Sequence, residues 1–562
     1  MRGLSPTTCA AGLLVLALTP TALTRTVKTS TPQMGWNSYN AYACDITEEI
    51  IVENAKALVE TGLAKLGYEY VSPDCGWFNG ERSDVTGALD WNMTRFPGGG
   101  EGLSKSVHAL GLKFGLYSGA GYWQCGGLNK YPGPLGHEEA DAKAFASWGV
   151  DALKYDNCYV NGTGPTVGAD FYSEVSGSPE RFRAMAKALS EVDRDVLYQL
   201  CQWGVGQDVG SWGASMANSY RISVDIYPNW GSVWRITNQA IAYAKYVEPG
   251  AYPDLDMLIV GLGVLSEQEE RMHFSLWSIF KSPLLLGNSL AQPIPNSSFA
   301  AIANPEVIAI NQDPLGKSAA LVRRFSEEGY DVYAGPLAGG RMVLGVANWL
   351  NTTNTASVDL ARVLGIRAAQ ARDVWAHRSV GRLSGRYCTR LAGHEMRLLV
   401  LSEIVSAHDE DGTGATYYRG EAAALSGNAS VVECPRGLCL PVGSKVTNIG
   451  SGPETAAVAF TDVRATTRGT KTLRLDYINY DIAWESSWKR PQGTSTRNLT
   501  VSVNSAPAKR WALPISGGSW FDTGRLAIEV EGFEEGNNTV EFRAVDGMSG
   551  FAPELVGFAL IE

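Results

Sequence analysis

Between about 31 and 315, eight short apolar, β-branched or aromatic runs, several of them separated by longer amphipathic stretches, predict an α/β chain that opens with a (β/α)8 TIM barrel. Past Asp313-Pro314 the pattern changes to short alternating runs without helices, which predicts an antiparallel β-sandwich domain over 316–405. A polar, acidic segment at 406–414 reads as a linker. From 415 to 562 the chain is again strand-rich with Gly, Asn and Pro turns, which predicts a second β-sandwich module. At 562 residues the chain is long enough to give each part a core of its own.

The strand runs fall at 33–40, 68–75, 112–118, 152–157, 196–202, 219–226, 252–260 and 282–288. Helical periodicity spans Thr47, a candidate N-cap, through Thr61, then Gly99–Leu110, His137–Trp148, Pro179–Val192 and Ser266–Phe280. Ser266 and Glu269 have the spacing of a capping box. The alternation also permits an open doubly wound sheet, the lesser option. In the next domain Met342–Ala347 and Met396–Leu401 read as strands, and in the last Thr472–Tyr477, Leu499–Val503, Leu526–Val530 and Thr539–Arg543.

Met1-Arg2, an apolar stretch from Cys9 to Leu18 and small residues from Thr19 to Thr24 have the form of a secretory signal over 1–25, too short to span a bilayer. A net charge of −11 with no basic run argues against nucleic acid or an anionic membrane as partner. Sequons at Asn92, Asn161, Asn296, Asn351, Asn428, Asn498 and Asn537 fit an exported glycoprotein. Without Cys9, eight cysteines remain, and an oxidising compartment favours disulfides whose pairing sequence alone leaves open. Cys434 and Cys439 are the most local pair, and no second Cys or His pair accompanies them, so zinc is not expected.

In a barrel of this kind the chemistry lies at the C-terminal ends of the strands. Asp156 closes the fourth run, Asp225 the sixth, and Asp74 the second. Three acids on one rim form a carboxylate constellation of the kind that cleaves glycosidic bonds, one group attacking and another donating a proton. The competing reading makes each acid a helix cap or a turn residue. Other mechanisms lack their motifs: there is no G-x-S-x-G, no H-E-x-x-H, and Pro97-Gly98-Gly99-Gly100 has no Lys-Ser/Thr partner for phosphate.

Five ordered motifs carry a resemblance: Met34-Gly-Trp-Asn-Ser-Tyr39, Asp74-Cys-Gly-Trp77, Leu153-Lys-Tyr-Asp-Asn-Cys158, Arg221-Ile-Ser-Val-Asp225 and Asp254-Leu-Asp-Met-Leu258. Over roughly 31–405 the chain is similar to glycoside hydrolase family 27, the secreted α-galactosidases, and to their fungal members in particular. That resemblance implies retaining hydrolysis of terminal α-D-galactose without a cofactor or catalytic metal, with α-galactoside oligosaccharides or galactomannan as the partners.

It also implies Asp156 as nucleophile and Asp225 as general acid/base. Lys154, two residues before Asp156 and so on the same strand face, is expected to keep that carboxylate ionised. The pKa of Asp225 is expected to be raised so that it holds its proton. The resemblance makes Arg221 and Lys154 partners of sugar hydroxyls, and Trp36, Tyr39, Tyr117, Trp203 and Met257 apolar walls. Asp74 would bond the O4/O6 side, and Gln202 the 2-hydroxyl. It pairs Cys125 with Cys158 and Cys44 with Cys75, leaving Cys201 and Cys388 unassigned.

The pattern departs from the family where Pro73 precedes Asp74, where Gly76 intervenes before Trp77, and where Gln202 stands in place of a frequent Glu. Bulky Gln202 and Trp203 favour galactose over 2-acetamido sugars. A β-L-arabinopyranosidase, an α-N-acetylgalactosaminidase and a catalytically silent sugar-binding protein are the alternative readings. The segment after 415 resembles a family 35 carbohydrate-binding module through Gly420–Asn428, Val446–Gly450, Gly536–Val540 and Ala552–Leu555. Such modules often hold structural calcium on a Glu-x-Glu strand, but Ala423 replaces the second Glu here. Trp511 and Trp520 are candidates either for stacking on sugar or for the core.

Overall fold

A computed structural model describes residues 29–125, 131–160, 177–204, 208–325, 329–407, 415–450, 456–482, 494–504, 506–545 and 550–562. The signal segment, Asn161 and most of the linker lie outside them.

Eight parallel strands, β1 (Met34–Asn37), β2 (Tyr70–Ser72), β3 (Lys113–Gly119), β4 (Ala152–Asp156), β5 (Leu197–Cys201), β6 (Ser219–Arg221), β7 (Tyr252–Asp254) and β8 (Leu284–Leu286), lie inside the sequence runs except that β3 runs one residue past its own. Their order is β7-β6-β5-β4-β3-β2-β1-β8, and a parallel bridge from Leu258, beyond β7, to Leu286 of β8 closes the ring. Nearly every strand residue is buried, the near-continuous apolar signature of a sheet covered on both faces.

The periodic helices form at Glu48–Glu60, Gly99–Ala109, Glu138–Ser147, Ser178–Ser190 and Glu267–Ile279. Thr47 caps the first by accepting from Ile50 N. Ser266 and Glu269 make both hydrogen bonds of the capping box, Glu269 N to Ser266 Oγ at 3.3 Å and Ser266 N to Glu269 Oε2 at 2.7 Å. Ser266→Ala is therefore expected to cost about 1 kcal/mol, read as a lower midpoint in thermal or urea unfolding, with activity at 25 °C unchanged.

Helices at Val209–Gly213, Trp230–Ala240, Asn296–Ile302 and Pro305–Asn311 were not expected. Trp230–Ala240 buries Ser232, Arg235, Thr237, Asn238 and Gln239 beside Val233, Ile236 and Ala240, so buried polar residues interrupt its apolar stripe. Its N-cap, Asn229 accepting from Ser232 N at 2.9 Å, was a usable signal. So was Asn304 ahead of Pro305, a cap followed by proline at the first helical position.

From Ala320 to Ser406 a six-stranded antiparallel sheet faces a two-stranded pair, Asn354–Asp359 with Arg386–Leu391, around a separate apolar core. After 415 two further antiparallel sheets stack as a sandwich. Apolar contacts run unbroken from the barrel into the last sandwich, so this part is docked on the rest of the molecule. Trp511 belongs to that core, and Trp520 has Arg497 against its ring at 4.6 Å. Glu421 spends its carboxylate on Arg419 at 2.9 Å and on Ser444, and the Ala423 side chain offers no oxygen. Of the described sequons, Asn296, Asn351, Asn428 and Asn537 are exposed, and Asn92 and Asn498 are half-buried.

Candidate active site

At the C-terminal rim of the barrel lies a cavity of about 580 Å³, counting its mouth. It is lined by Tyr39, Asp74, Tyr117, Lys154, Asp156, Trp203, Arg221, Asp225 and Met257, nine residues singled out in the sequence, and also by Asn40, Cys75, Cys125, Cys158 and Asp256.

Asp156 is the last residue of β4, and both its oxygens are engaged. Oδ2 accepts from the Tyr117 hydroxyl at 2.7 Å; Oδ1 accepts from Trp203 Nε1 at 2.9 Å and from Asn157 N at 2.8 Å. Trp203 reaches it from a backbone at φ +77°, a sparsely populated region for a bulky residue, so the surrounding fold holds it there. The disulfide Cys125–Cys158 flanks the carboxylate, with both sulfurs within 4.8 Å of it. Because the sulfurs are bonded to each other, the trio offers no thiolate to a metal. Burial pushes the Asp156 carboxyl above its ordinary pKa, partly opposed by Lys154 and reinforced by Asp225.

The direct partner of Lys154 is not Asp156. Its ammonium lies 2.8 Å from Asp74 Oδ2, an oxygen that also accepts from Asn37 Nδ2 at 2.9 Å. Burial works against this cation, but Asp74, together with Asp156 and other neighbours, outweighs it, and the lysine stays charged over the rings of Tyr117 and Tyr39, 5.1 and 5.9 Å away. Asp74 itself lies two residues beyond β2, 2% exposed. The turn that follows explains Gly76: its φ is +103°, and a Cβ there would stand 2.1 Å from the Cys44 carbonyl oxygen. The Cys44–Cys75 disulfide ties the same turn.

Strand β6 ends at Arg221, so Asp225 is a loop residue, not a strand end. Arg221 recovers the geometry: its Nη2 lies 2.7 Å from Asp225 and 2.8 Å from Asp256 Oδ2, which makes one buried guanidinium the shared counter-charge of two acids. Burial acts to raise Asp225, but Arg221, together with Lys154 and Arg235, outweighs it and holds this carboxyl below its ordinary pKa, opposite to the raised value expected from the sequence. The raised acid is Asp256, pushed by burial to about 6 against the pull of Arg221. Asp256 also accepts from Ile226 N and Met257 N, both at 2.7 Å, and sits at φ +80°. Sequence reasoning missed it, although it lies inside the quoted motif Asp254–Leu258.

Two other expectations are corrected. Gln202 is fully buried, its Oε1 accepting from Gly204 N at 3.1 Å, and it does not line the cavity. Trp36 is also fully buried behind the rim and donates Nε1 to the Asn288 carbonyl at 2.7 Å. Cys201, at the end of β5, is a buried thiol 3.6 Å from Arg221 Nη1, Cys388 is exposed, and Cys434–Cys439 is a third disulfide.

Comparison with known proteins extends these observations. A family model described as alpha galactosidase A matches residues 31–313, and one described as the alpha galactosidase C-terminal beta sandwich domain matches 327–401. The chain is 36% identical, over an alignment 631 positions long, to a probable alpha-galactosidase D of Neosartorya fischeri, covering 95% of this chain and 96% of that one. Among solved structures, alpha-galactosidase I from Mortierella vinacea matches with a TM-score of 0.62 and 34% identity, over 69% of this chain and 100% of that chain. A Saccharomyces cerevisiae α-galactosidase solved with raffinose matches with a TM-score of 0.60 and 27% identity, over 66% and 97%. With its carboxylate-lined barrel rim and these matches across both of its first two domains, the chain belongs to the α-galactosidases of glycoside hydrolase family 27.

Proposed function

We propose that this enzyme is exported, glycosylated, and removes terminal α-D-galactose from raffinose-type oligosaccharides or galactomannan side chains by double displacement with retention. The observation that carries the reading is the pairing inside one cavity of a fully donor-held carboxylate, Asp156, with a second carboxylate, Asp225, that shares its counter-charge. Asp156 has both oxygens oriented by Tyr117, Trp203 and Asn157, which suits a nucleophile that must meet the anomeric carbon along one line. Asp225 protonates the departing glycosidic oxygen and then takes a proton from the incoming water. Lys154 and Asp74, already joined, present a donor and an acceptor to sugar hydroxyls, and an analogue lacking the matching hydroxyl would leave one of them unpaired. The chemistry needs no group beyond these side chains.

Initial rates on nitrophenyl α-D-galactoside, β-L-arabinopyranoside and α-N-acetylgalactosaminide, with the first-formed anomer followed by NMR, test this reading. Fast release of α-galactose from the first alone is expected. Release of β-galactose would overturn retention, and dominance of another glycoside would overturn the assigned specificity.

The pH dependence follows from Arg221. The Asp225–Asp256 pair holds one proton up to about pH 6, the value to which Asp256 is pushed, and proton donation requires that proton. The kcat/KM is therefore expected to fall as pH rises above about 6. Asp256→Asn leaves Arg221 wholly to Asp225, which lowers the pKa of the acid further, so the alkaline limb moves to lower pH. A limb that stays in place or moves up would remove Asp256 from this role.

A further inference from the structure

Arg324, in the strand Ala320–Phe325, is 1% exposed, and its guanidinium touches all three parts of the molecule. Nε and Nη2 bind Asp331 of its own domain at 3.2 and 2.9 Å. Nη1 donates to Asn238 Oδ1 of the barrel at 2.8 Å and to the Ala512 carbonyl of the last sandwich at 2.7 Å. The Trp234 ring lies 5.1 Å from the guanidinium carbon. Next to this, Ile515 N of the sandwich donates to the Asn238 carbonyl at 3.3 Å.

Asn238 and Trp234 belong to the helix Trp230–Ala240, and that helix holds the main chain around Asp225. Arg235 Nη2 donates to the Asp225 carbonyl at 2.9 Å, and Gln239 Nε2 donates to the Ile222 carbonyl. Arg235 and Asn238 are three apart and so share one side of the helix. Hydrogen bonds thus run from the last sandwich through Arg324 to Asn238, and the helix that carries Asn238 also carries Arg235, which binds the backbone of Asp225. A rigid fork of this kind transmits position, because a buried guanidinium that loses a partner has no water to replace it.

We infer that the C-terminal sandwich is a working part of the catalytic cleft, and that Asn238 and Arg324 are positioning residues which set where Asp225 delivers its proton. This rests on the reading of Asp225 as the acid/base group. Residue Asn238 tests it best, because its side chain touches Arg324 but lies outside the cavity.

Asn238→Ala is expected to lower kcat/KM on raffinose by about tenfold or more, since the leaving sugar must be protonated in line. On 2,4-dinitrophenyl α-galactoside, whose leaving group departs without a proton, the loss is expected to stay within about threefold. Asn238→Asp, which keeps an oxygen for Arg324, restores the wild-type ratio. Where Asn238→Ala does not fold, Asn238→Ser, too short to reach the guanidinium, carries the same comparison. Equal losses on the two substrates, or no loss on either, overturn the inference. Asp225→Ala runs beside it: if that variant also fails to separate the substrates, the acid/base reading itself falls, whereas separation by Asp225→Ala but not by Asn238→Ala sinks only the role of the sandwich.

Discussion

Asp156→Ala is expected to lower kcat on nitrophenyl α-galactoside by on the order of 10⁵-fold, the scale of removing a nucleophile that works within a unit. The expectation comes from geometry: three donors, Tyr117, Trp203 and Asn157, converge on this carboxylate and orient both of its oxygens. Galactose binding should survive, because Lys154 keeps its ion pair with Asp74 and Arg221 its pairs with Asp225 and Asp256, and calorimetric titration with galactose checks it. Azide offers the sharper readout. In the space left by the carboxylate it attacks the anomeric carbon from the nucleophile's side and gives β-galactosyl azide. Recovery of the α anomer, or near-normal turnover without azide, would take the nucleophile role away from Asp156.

Asp225→Ala is expected to lower kcat/KM on raffinose by roughly 10²- to 10⁴-fold, the usual worth of a positioned general acid. The loss should be small on 2,4-dinitrophenyl α-galactoside, whose departing phenolate is stable without a proton. Azide, intercepting the covalent intermediate that the missing base no longer helps water to reach, should yield α-galactosyl azide. The two variants therefore give azides of opposite configuration, which separates the two carboxylates without any appeal to rate alone. Removing Asp225 also leaves Arg221 with Asp256 as its remaining acid at hydrogen-bond distance, so a modest change in thermal stability is expected and does not bear on the assignment.

Much of the fold was legible because the parallel barrel has a strong period. Buried strands such as Phe114–Leu116 and Leu284–Leu286 read as apolar runs, and capped helices announce themselves at Thr47 and Ser266. The helix Trp230–Ala240 escaped because its buried residues are mixed: Arg235, Asn238 and Gln239 are inside beside Val233, Ile236 and Ala240, to bind backbone and Arg324. At the site, Asp156 was legible as a strand end. Asp225 was legible as an acid but misplaced, since β6 stops four residues earlier and Arg221 bridges the gap.

By itself the sequence determined the eight barrel strands, the strand-rich segments that follow, and most of the carboxylates and aromatics that meet at the rim, because burial and strand period act locally and leave a readable mark. Only the tertiary structure decided which charge meets which. Lys154 pairs with Asp74, Arg221 is shared by Asp225 and Asp256, Gln202 turns away from the cavity, and Arg324 joins the last sandwich to the helix behind Asp225. Those pairings depend on loops and on contacts between residues far apart in the chain, where no period constrains a side chain's direction and the Coulomb energy of a buried pair changes steeply over a few ångströms.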